Sequence, residues 1–241
     1  VTFQDAFTGG LSGSILAVSH RWEEPSQPDP LGVQLAAIKK FLNDEGNERI
    51  EYVWYDFACM HQGNRSPEQE REFKSMLPNI NLLYIGGTVL LLVDMQYVGR
   101  FWTQFEAWLS FQCPTPWGLN ADKDSNRYTI IGLHTGAESS VDRTIVKLWK
   151  SKSPQEAHDL LASSDVIVTN LSDKQGQLPK IQHLAETSRE VYASMNVTSV
   201  VWLELAGSDD AGEEVDEEVE EEVAEIEDPP LVLDIKEAAG S

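Results

Sequence analysis

The apolar run Thr88-Val89-Leu90-Leu91-Leu92-Val93 leads, through a short polar link, into Tyr97-Val98-Gly99-Arg100-Phe101-Trp102-Thr103-Gln104-Phe105-Glu106-Ala107-Trp108-Leu109. An unbroken apolar run of this length reads as a strand buried on both faces of a parallel sheet. A helix pattern begins near Phe101, with Phe101, Phe105, Trp108, Leu109 and Gln112 along one stripe. Glu106 then lies one turn into a helix leaving the carboxyl end of a buried strand, the edge at which open α/β sheets keep their ligands. Hemmed in by aromatic residues, it is the candidate for a chemically active group. The competing expectation is a solvated helix carboxylate.

Outward from this stretch, strands and helices alternate. Ile15-Leu16-Ala17-Val18 breaks into Ser19-His20-Arg21-Trp22-Glu23-Glu24, a first strand ending in a polar loop. Pro25, Pro28 and Pro30 forbid helix until Leu31, after which Val33, Ala36, Ala37, Ile38, Phe41 and Leu42 recur at helical spacing. Ile50-Glu51-Tyr52-Val53-Trp54-Tyr55 reads as a second strand that ends at Asp56. Ser66 as N-cap and Pro67 at the first helical position start a helix that Pro78 divides into pieces, 67–77 and 79–85. This β-α-β-α-β-α order predicts a mainly parallel sheet and gathers three polar loops, 19–24, 56–63 and 94–100, on one edge. Farther on, Cys113-Pro114-Thr115-Pro116 stops the Glu106 helix. Residues 128–133 and 165–169 read as a fourth and a fifth strand, Ser153 to Glu156 as a capping box for a helix through Leu161, 178–195 as a final helix, and 198–205 as a last strand or an extension.

The division expected is therefore a Gly/Ser-rich flexible lead-in at 1–14, one α/β domain at 15–205 whose second half (115–205) is the less recognisable, and a tail at 206–241. The formal charge is -22, and 13 acidic residues with no basic ones lie between Asp209 and Asp228, leaving 27 acidic against 18 basic residues elsewhere. The domain proper is thus mildly acidic, with no Lys/Arg patch, which argues against nucleic acid or an anionic membrane as partner. Dense like charge makes the tail a disordered segment. Its Val215, Val219, Val223 and Ile226 also allow an amphipathic helix that folds on a basic protein partner, and Leu231-Val232-Leu233-Asp234-Ile235 is an apolar motif able to dock. Cys59 and Cys113 are too few for a disulfide framework and lack metal-site spacing, so a reduced, cytoplasmic location, no metal and no prosthetic group are expected. The start on Val1, without Met or a signal-like core, suggests a piece of a longer chain, and no apolar run approaches the ~20 residues that span a bilayer.

Three segments carry a family resemblance. Trp54-Tyr55-Asp56-Phe57-Ala58-Cys59-Met60-His61-Gln62 resembles the W-x-D-x-x-C-x-x-Q signature of heterokaryon-incompatibility (HET) domains, Val18 to Trp22 looks like their opening S-Y-x-W segment, and Arg100 to Glu106 looks like their R-x-W-T-x-Q-E. The order also resembles the Toll/interleukin-receptor (TIR) superfamily, in which F-x-S-x-R, D-x(6)-G and W-C-x-x-E are matched here by the Ser19–Arg21 segment, by Asp56 with Gly63, and by Trp102 with Glu106. The matches cover roughly residues 15–112. Thr103 stands where TIR domains usually have Cys, and Phe105 where HET domains have Gln.

The resemblance implies a flavodoxin-like, three-layer α/β domain. In the enzymatic TIR branch it also implies NAD as substrate, cleaved at the nicotinamide–ribose bond by the carboxylate at Glu106. That chemistry is coherent, because loss of a cationic leaving group needs no general acid and a nearby carboxylate stabilises the oxocarbenium character of the ribose. By the same resemblance Ser19, Arg21, Trp22, Asp56, Gly63 and Trp102 bind the nucleotide. Arg21 holds phosphate through two parallel hydrogen bonds, Trp22 or Trp102 stacks on a ring, Asp56 binds a ribose or orients its loop, and Gly63 lets backbone approach. Alternatives stay open for several of these residues. Trp54 and Trp102 read as core aromatics before ligand contacts, Cys59 with His61 as a nucleophile and base or Cys59 alone as a buried structural cysteine, and Arg100 as the ion-pair partner of Glu106. A second class of function also remains, a non-catalytic module that assembles with copies of itself or with partners.

Overall fold

The computed structural model describes residues 1–122, 127–134, 138–206 and 233–234. The described elements run α1 (Phe3–Phe7), β1 (Ile15–His20), α2 (Val33–Asn43), β2 (Tyr52–Trp54), α3 (Asp56–Cys59), α4 (Pro67–Met76), α5 (Asn81–Gly86), β3 (Thr88–Val93), α6 (Phe101–Ser110), β4 (Gln112–Thr115), β5 (Gly118–Ala121), β6 (Tyr128–Gly132), α7 (Glu138–Trp149), α8 (Pro154–Ala162), α9 (Leu171–Ala206) and β7 (Leu233–Asp234). A 3-10 turn, Tyr97–Gly99, joins β3 to α6.

The apolar run at 88–93 is a strand flanked on both sides, by β1 and by β6, in parallel register. The sheet order is β6-β3-β1-β2-β7, with β6, β3, β1 and β2 parallel and β7 antiparallel at the edge. The fold is α/β, with a mostly parallel central sheet flanked by helices. Strand alternation sends successive side chains to opposite faces. Leu16, Val18, Leu90 and Leu92 meet Ile38 and Phe41 of α2 in one core. Ala17, Val89, Leu91 and Val93 join α1, α5 and α6 in the other, larger one. The N-cap at Ser66 and the break at Pro78 take form as expected, with helices at Pro67–Met76 and Asn81–Gly86, and Gln69 completes a capping box with Ser66.

The second half departs more from the expectations. Residues 165–169 are not a fifth strand. Ile167 makes a single bridge to Arg100, with Phe101 N donating to Ile167 O at 2.8 Å and Ile167 N to Gly99 O at 2.9 Å. The segment follows the turn before α6 and takes no place in the sheet. Residues 198–205 lie in α9 rather than in a strand, and α9 begins at Leu171, ahead of the expected Leu178, carrying Pro179 inside it. The stretch after the Glu106 helix is a hairpin, β4 against β5, in which Gln112 is a strand residue. The expectation of a disordered acidic tail lies outside the described residues, except that Leu233–Asp234 pair with Tyr52 and Val53 at the β2 edge.

The lead-in also differs from a loose segment. Phe3, Ala6 and Phe7 recur at helical spacing behind a capping box formed by Thr2 and Asp5, and Ala6, Phe7 and Leu11 are buried in the larger core. The approach of α1 to α5 is close. A Cβ on Gly86 would lie 2.5 Å from Ala6 Cα and 2.6 Å from Ala6 O, so only glycine fits. Gly86→Ala is expected to cost about 1–3 kcal/mol, the usual range for overpacking against backbone. Urea unfolding measures this cost, and an unchanged midpoint would show that α1 yields freely.

Among the described residues no helix is long and apolar enough to cross a membrane.

Candidate functional site

Every residue of α6 except Trp102 is buried, because the helix is enclosed on all sides rather than on one stripe. Glu106 is 8% exposed, so the expectation of a solvated carboxylate gives way to an enclosed one. Its partner is not Arg100. Ser19 Oγ, at the end of β1, donates to Glu106 Oε2 at 2.7 Å. Since that uses the single hydroxyl proton of Ser19, Tyr97 Oη donates to Ser19 Oγ at 2.6 Å. Tyr84 Oη, which donates to Val18 O at 3.2 Å, stands beside the same carboxyl. Burial pushes the Glu106 carboxyl well above the usual carboxylate range, and the hydrogen bond from Ser19 offsets this only in part. Burial likewise raises the phenols of Tyr84 and Tyr97. The enclosure therefore favours Glu106 as a carboxylic acid over the carboxylate, and Tyr84 and Tyr97 as neutral phenols.

The end of β1 distributes the remaining residues by alternation. Ser19 and Arg21 turn toward β3 and α6, while His20 and Trp22 turn toward β2. Arg21 Nε and one terminal nitrogen donate to Asp94 Oδ2 at 2.9 and 2.5 Å, and the other terminal nitrogen donates to Trp22 O at 2.9 Å. Asp94 Oδ1 accepts from the backbone N–H groups of Gln96 and Tyr97 at 2.9 and 2.8 Å. Burial raises the Asp94 carboxyl, but Arg21 and the two backbone donors outweigh it and hold the group below the usual range. On the β2 side, Asp56 accepts from His20 Nε2 (2.8 Å), from Phe57 N (2.6 Å) and from Trp22 Nε1 at both oxygens (3.1 and 3.0 Å). Through those donors Asp56 ties the end of β1 to the loop after β2. The His20 ring stacks on Tyr55 at 4.1 Å, and its Nδ1 is buried without a hydrogen-bond partner.

Ser19, Arg21 and Glu106 thus share one side of the carboxyl edge, and Trp22 and Asp56 the other. Trp102 joins neither group, since it meets Phe101 edge-on at 5.7 Å and hydrogen-bonds toward Asp173 at the start of α9. Trp54 is fully buried core. Gly63 adopts φ 69° with open space around it, so glycine is needed there for its backbone conformation. Cys59 is buried, with Sγ 3.7 Å from Val53 O, whereas His61 contacts Glu72 at 2.6 Å, so the two do not form a nucleophile and base. Sequence reasoning missed Asp94, Tyr97, Tyr84 and His20 as members of the site, although the first two lie in the polar link after the third strand. It also missed the contact of His134 with Glu23, at 3.0 Å across 111 residues of chain, for which no local signal exists. His134 holds a left-handed backbone, φ 62°, uncommon for a non-glycine residue.

Family models, curated proteins and solved structures offer no match to this chain. The site is therefore argued from its geometry. In the order β6-β3-β1-β2, the first parallel strand has its successors on opposite sides, so the chain switches direction between β1 and β3. Open α/β sheets bind ligands outside the carboxyl ends of the strands at such a point. The Ser19–Glu106 and Ser19–Tyr97 bonds and the Arg21–Asp94 pair bridge it here. Among the described residues, no group of three His, Cys, Asp or Glu side chains is arranged to hold a metal ion.

Proposed function

We propose that the chain is a TIR/HET-like, flavodoxin-like signalling or defence domain that binds NAD or a related nucleotide at the β1/β3 crevice, with Glu106 acting on the nicotinamide–ribose bond. The observation that carries this reading is the 2.7 Å bond from Ser19 to Glu106, which joins two separate motifs of the resemblance at the switch point of the sheet. The form described is a resting one. A neutral, enclosed carboxylic acid stabilises little positive charge, so catalysis requires the crevice to open and water or ligand to reach Glu106. Its pKa then falls toward the ordinary value and the carboxylate forms. As nicotinamide leaves, that carboxylate would face the oxocarbenium ribose of bound NAD, and a water would add to the vacated carbon and release its proton.

The test is nicotinamide release from NAD by the purified chain at high protein concentration, compared with Glu106→Gln. Product from the parent, reduced at least ~100-fold in the variant, supports the assignment, since removal of a preorganised charge-stabilising group typically costs that much. Equal release by both proteins removes Glu106 from the chemistry.

A second reading, a non-catalytic assembly module, is favoured by the same enclosure of Glu106 and by the prior engagement of Arg21 and Asp56 in internal bonds. It expects no nicotinamide release from either protein, together with concentration-dependent self-association in sedimentation. The acidic tail would then recruit a basic protein partner.

A further inference from the structure

Arg21 is the cation placed at the switch point between β1 and β3, and its fork is already filled. Two of its nitrogens converge on one oxygen of Asp94, and each partner's side chain is only 12% exposed. The other Asp94 oxygen is fastened to the backbone after β3, so the carboxylate is presented to Arg21 by a rigid turn. The two residues that follow Arg21 are tied as well. Trp22 bonds to Asp56 beyond β2, and Glu23 meets His134 beyond β6. Three consecutive residues of the β1 loop thus reach the carboxyl ends of three different strands, and the Arg21 tie is the one that crosses from β1 to the end of β3.

We infer that Asp94 stands in for the anionic group of the ligand, so that Arg21 is a phosphate subsite held closed by an internal carboxylate. This rests on the nucleotide-binding reading and deepens it by naming how that site is regulated: the Arg21 end is closed by Asp94 until a phosphate-bearing ligand displaces it. A carboxylate and a phosphate oxygen present the same acceptor geometry to a guanidinium, so the incoming phosphate exchanges one charge-assisted pair for another. Asp94 keeps its backbone donors during the exchange and does not need to leave the turn. Its remaining negative charge opposes the phosphate, and that repulsion sets the threshold for ligand entry. Asparagine at position 94 retains an oxygen for the Gln96 and Tyr97 N–H groups but gives up the charge that holds Arg21.

The experiment is calorimetric titration of the parent, Asp94→Asn and Arg21→Met with ADP-ribose and, as a phosphate-free control, adenosine. Asp94→Asn is expected to bind ADP-ribose about tenfold more tightly than the parent, the scale of one charge-assisted hydrogen bond, with adenosine unchanged. Arg21→Met should bind ADP-ribose more weakly than the parent, with adenosine again unchanged. In the parent, the Arg21 Nε–H NMR resonance should move on addition of ADP-ribose and stay in place with adenosine, a readout that holds even if a variant folds poorly. Parent binding with no gain in Asp94→Asn and a stationary Arg21 resonance overturns the role of Asp94 alone. Equal tightening of adenosine overturns the phosphate subsite. No ADP-ribose binding by any of the three proteins at millimolar concentration overturns the nucleotide reading together with it.

Discussion

Replacing Arg127 with methionine is expected to destabilise the fold by about 3–5 kcal/mol, because it strips the donor from several backbone carbonyls at once. The residue lies just before β6, and its guanidinium donates to five carbonyls: Tyr84 O (2.8 Å) and Gly87 O (3.0 Å) from one nitrogen, and Leu109 O (3.4 Å), Ser110 O (2.8 Å) and Gln112 O (2.9 Å) from the other. Tyr84 belongs to the last turn of α5, and Leu109 and Ser110 end α6. The final carbonyls of a helix have no partner within it and carry the negative end of its dipole. One cation therefore caps two helices at once and fastens both to the β4 hairpin. Burial pushes the guanidinium pKa down, but an arginine starts so high that it remains charged. Methionine fills similar volume and leaves the carbonyls without donors, at about 1–3 kcal/mol for each that water cannot reach. Lysine keeps the charge but reaches fewer carbonyls, so Arg127→Lys should fall between methionine and the parent. Calorimetry should show the methionine variant melting about 10 °C below the parent, using the ~2–4 °C per kcal/mol typical of this size. A shift under about 2 °C would mean that water or backbone movement satisfies the carbonyls instead.

Arg127 also shows where sequence reading stops. Its partners are backbone carbonyls, which leave no mark on side-chain chemistry, and they lie 15–43 positions away. What was legible was periodic or capped. The run at 88–93 is a strand at those bounds, Ser66-Pro67 and Ser153-Pro154 start helices at Pro67 and Pro154, and the three polar loops do converge at one edge. Residues 165–169 show the opposite case. A β-rich segment pairs wherever a backbone edge is open, and this one met the turn before α6 rather than the sheet. For the site, position along the chain located Glu106 but not its environment. A stripe read on one face of α6 suggested a half-exposed helix, whereas Ala107, Ser110 and Thr103 are small enough for close packing on the other faces. The links from Ser19 to Glu106 and from Arg21 to Asp94 span 87 and 73 residues, and only the strand order brings them together.

The second large effect is a pH dependence that belongs to Glu106. Its carboxyl has an ordinary value near 4.5 in the unfolded chain and a raised one in the fold, with burial as the first cause. Between those two values the folded state holds a proton that the unfolded state has released, so stability falls as pH rises through that window. The contribution is fully present below about pH 4.5 and is lost upward from there, at up to about 1.4 kcal/mol per pH unit until the folded pKa is passed. Asp94 works in the opposite direction, since its lowered value makes stability fall as pH drops below its ordinary 3.8. The two windows do not overlap. Glu106→Gln removes only the first, because glutamine can accept the Ser19 proton through its carbonyl and offer an N–H toward Tyr84. The variant should therefore match the parent near pH 4 and become progressively more stable than it as pH rises from there, in urea unfolding at fixed salt. A gain in stability on deleting an ionisable group is the signature of a site kept at the expense of the fold, which is where catalytic carboxylates are found. A difference that stays flat with pH would mean that Glu106 titrates normally and is reached by water in the folded chain. That result would contradict the enclosed state described here, and it would place an ionised carboxylate beside Ser19 without any need for the crevice to open.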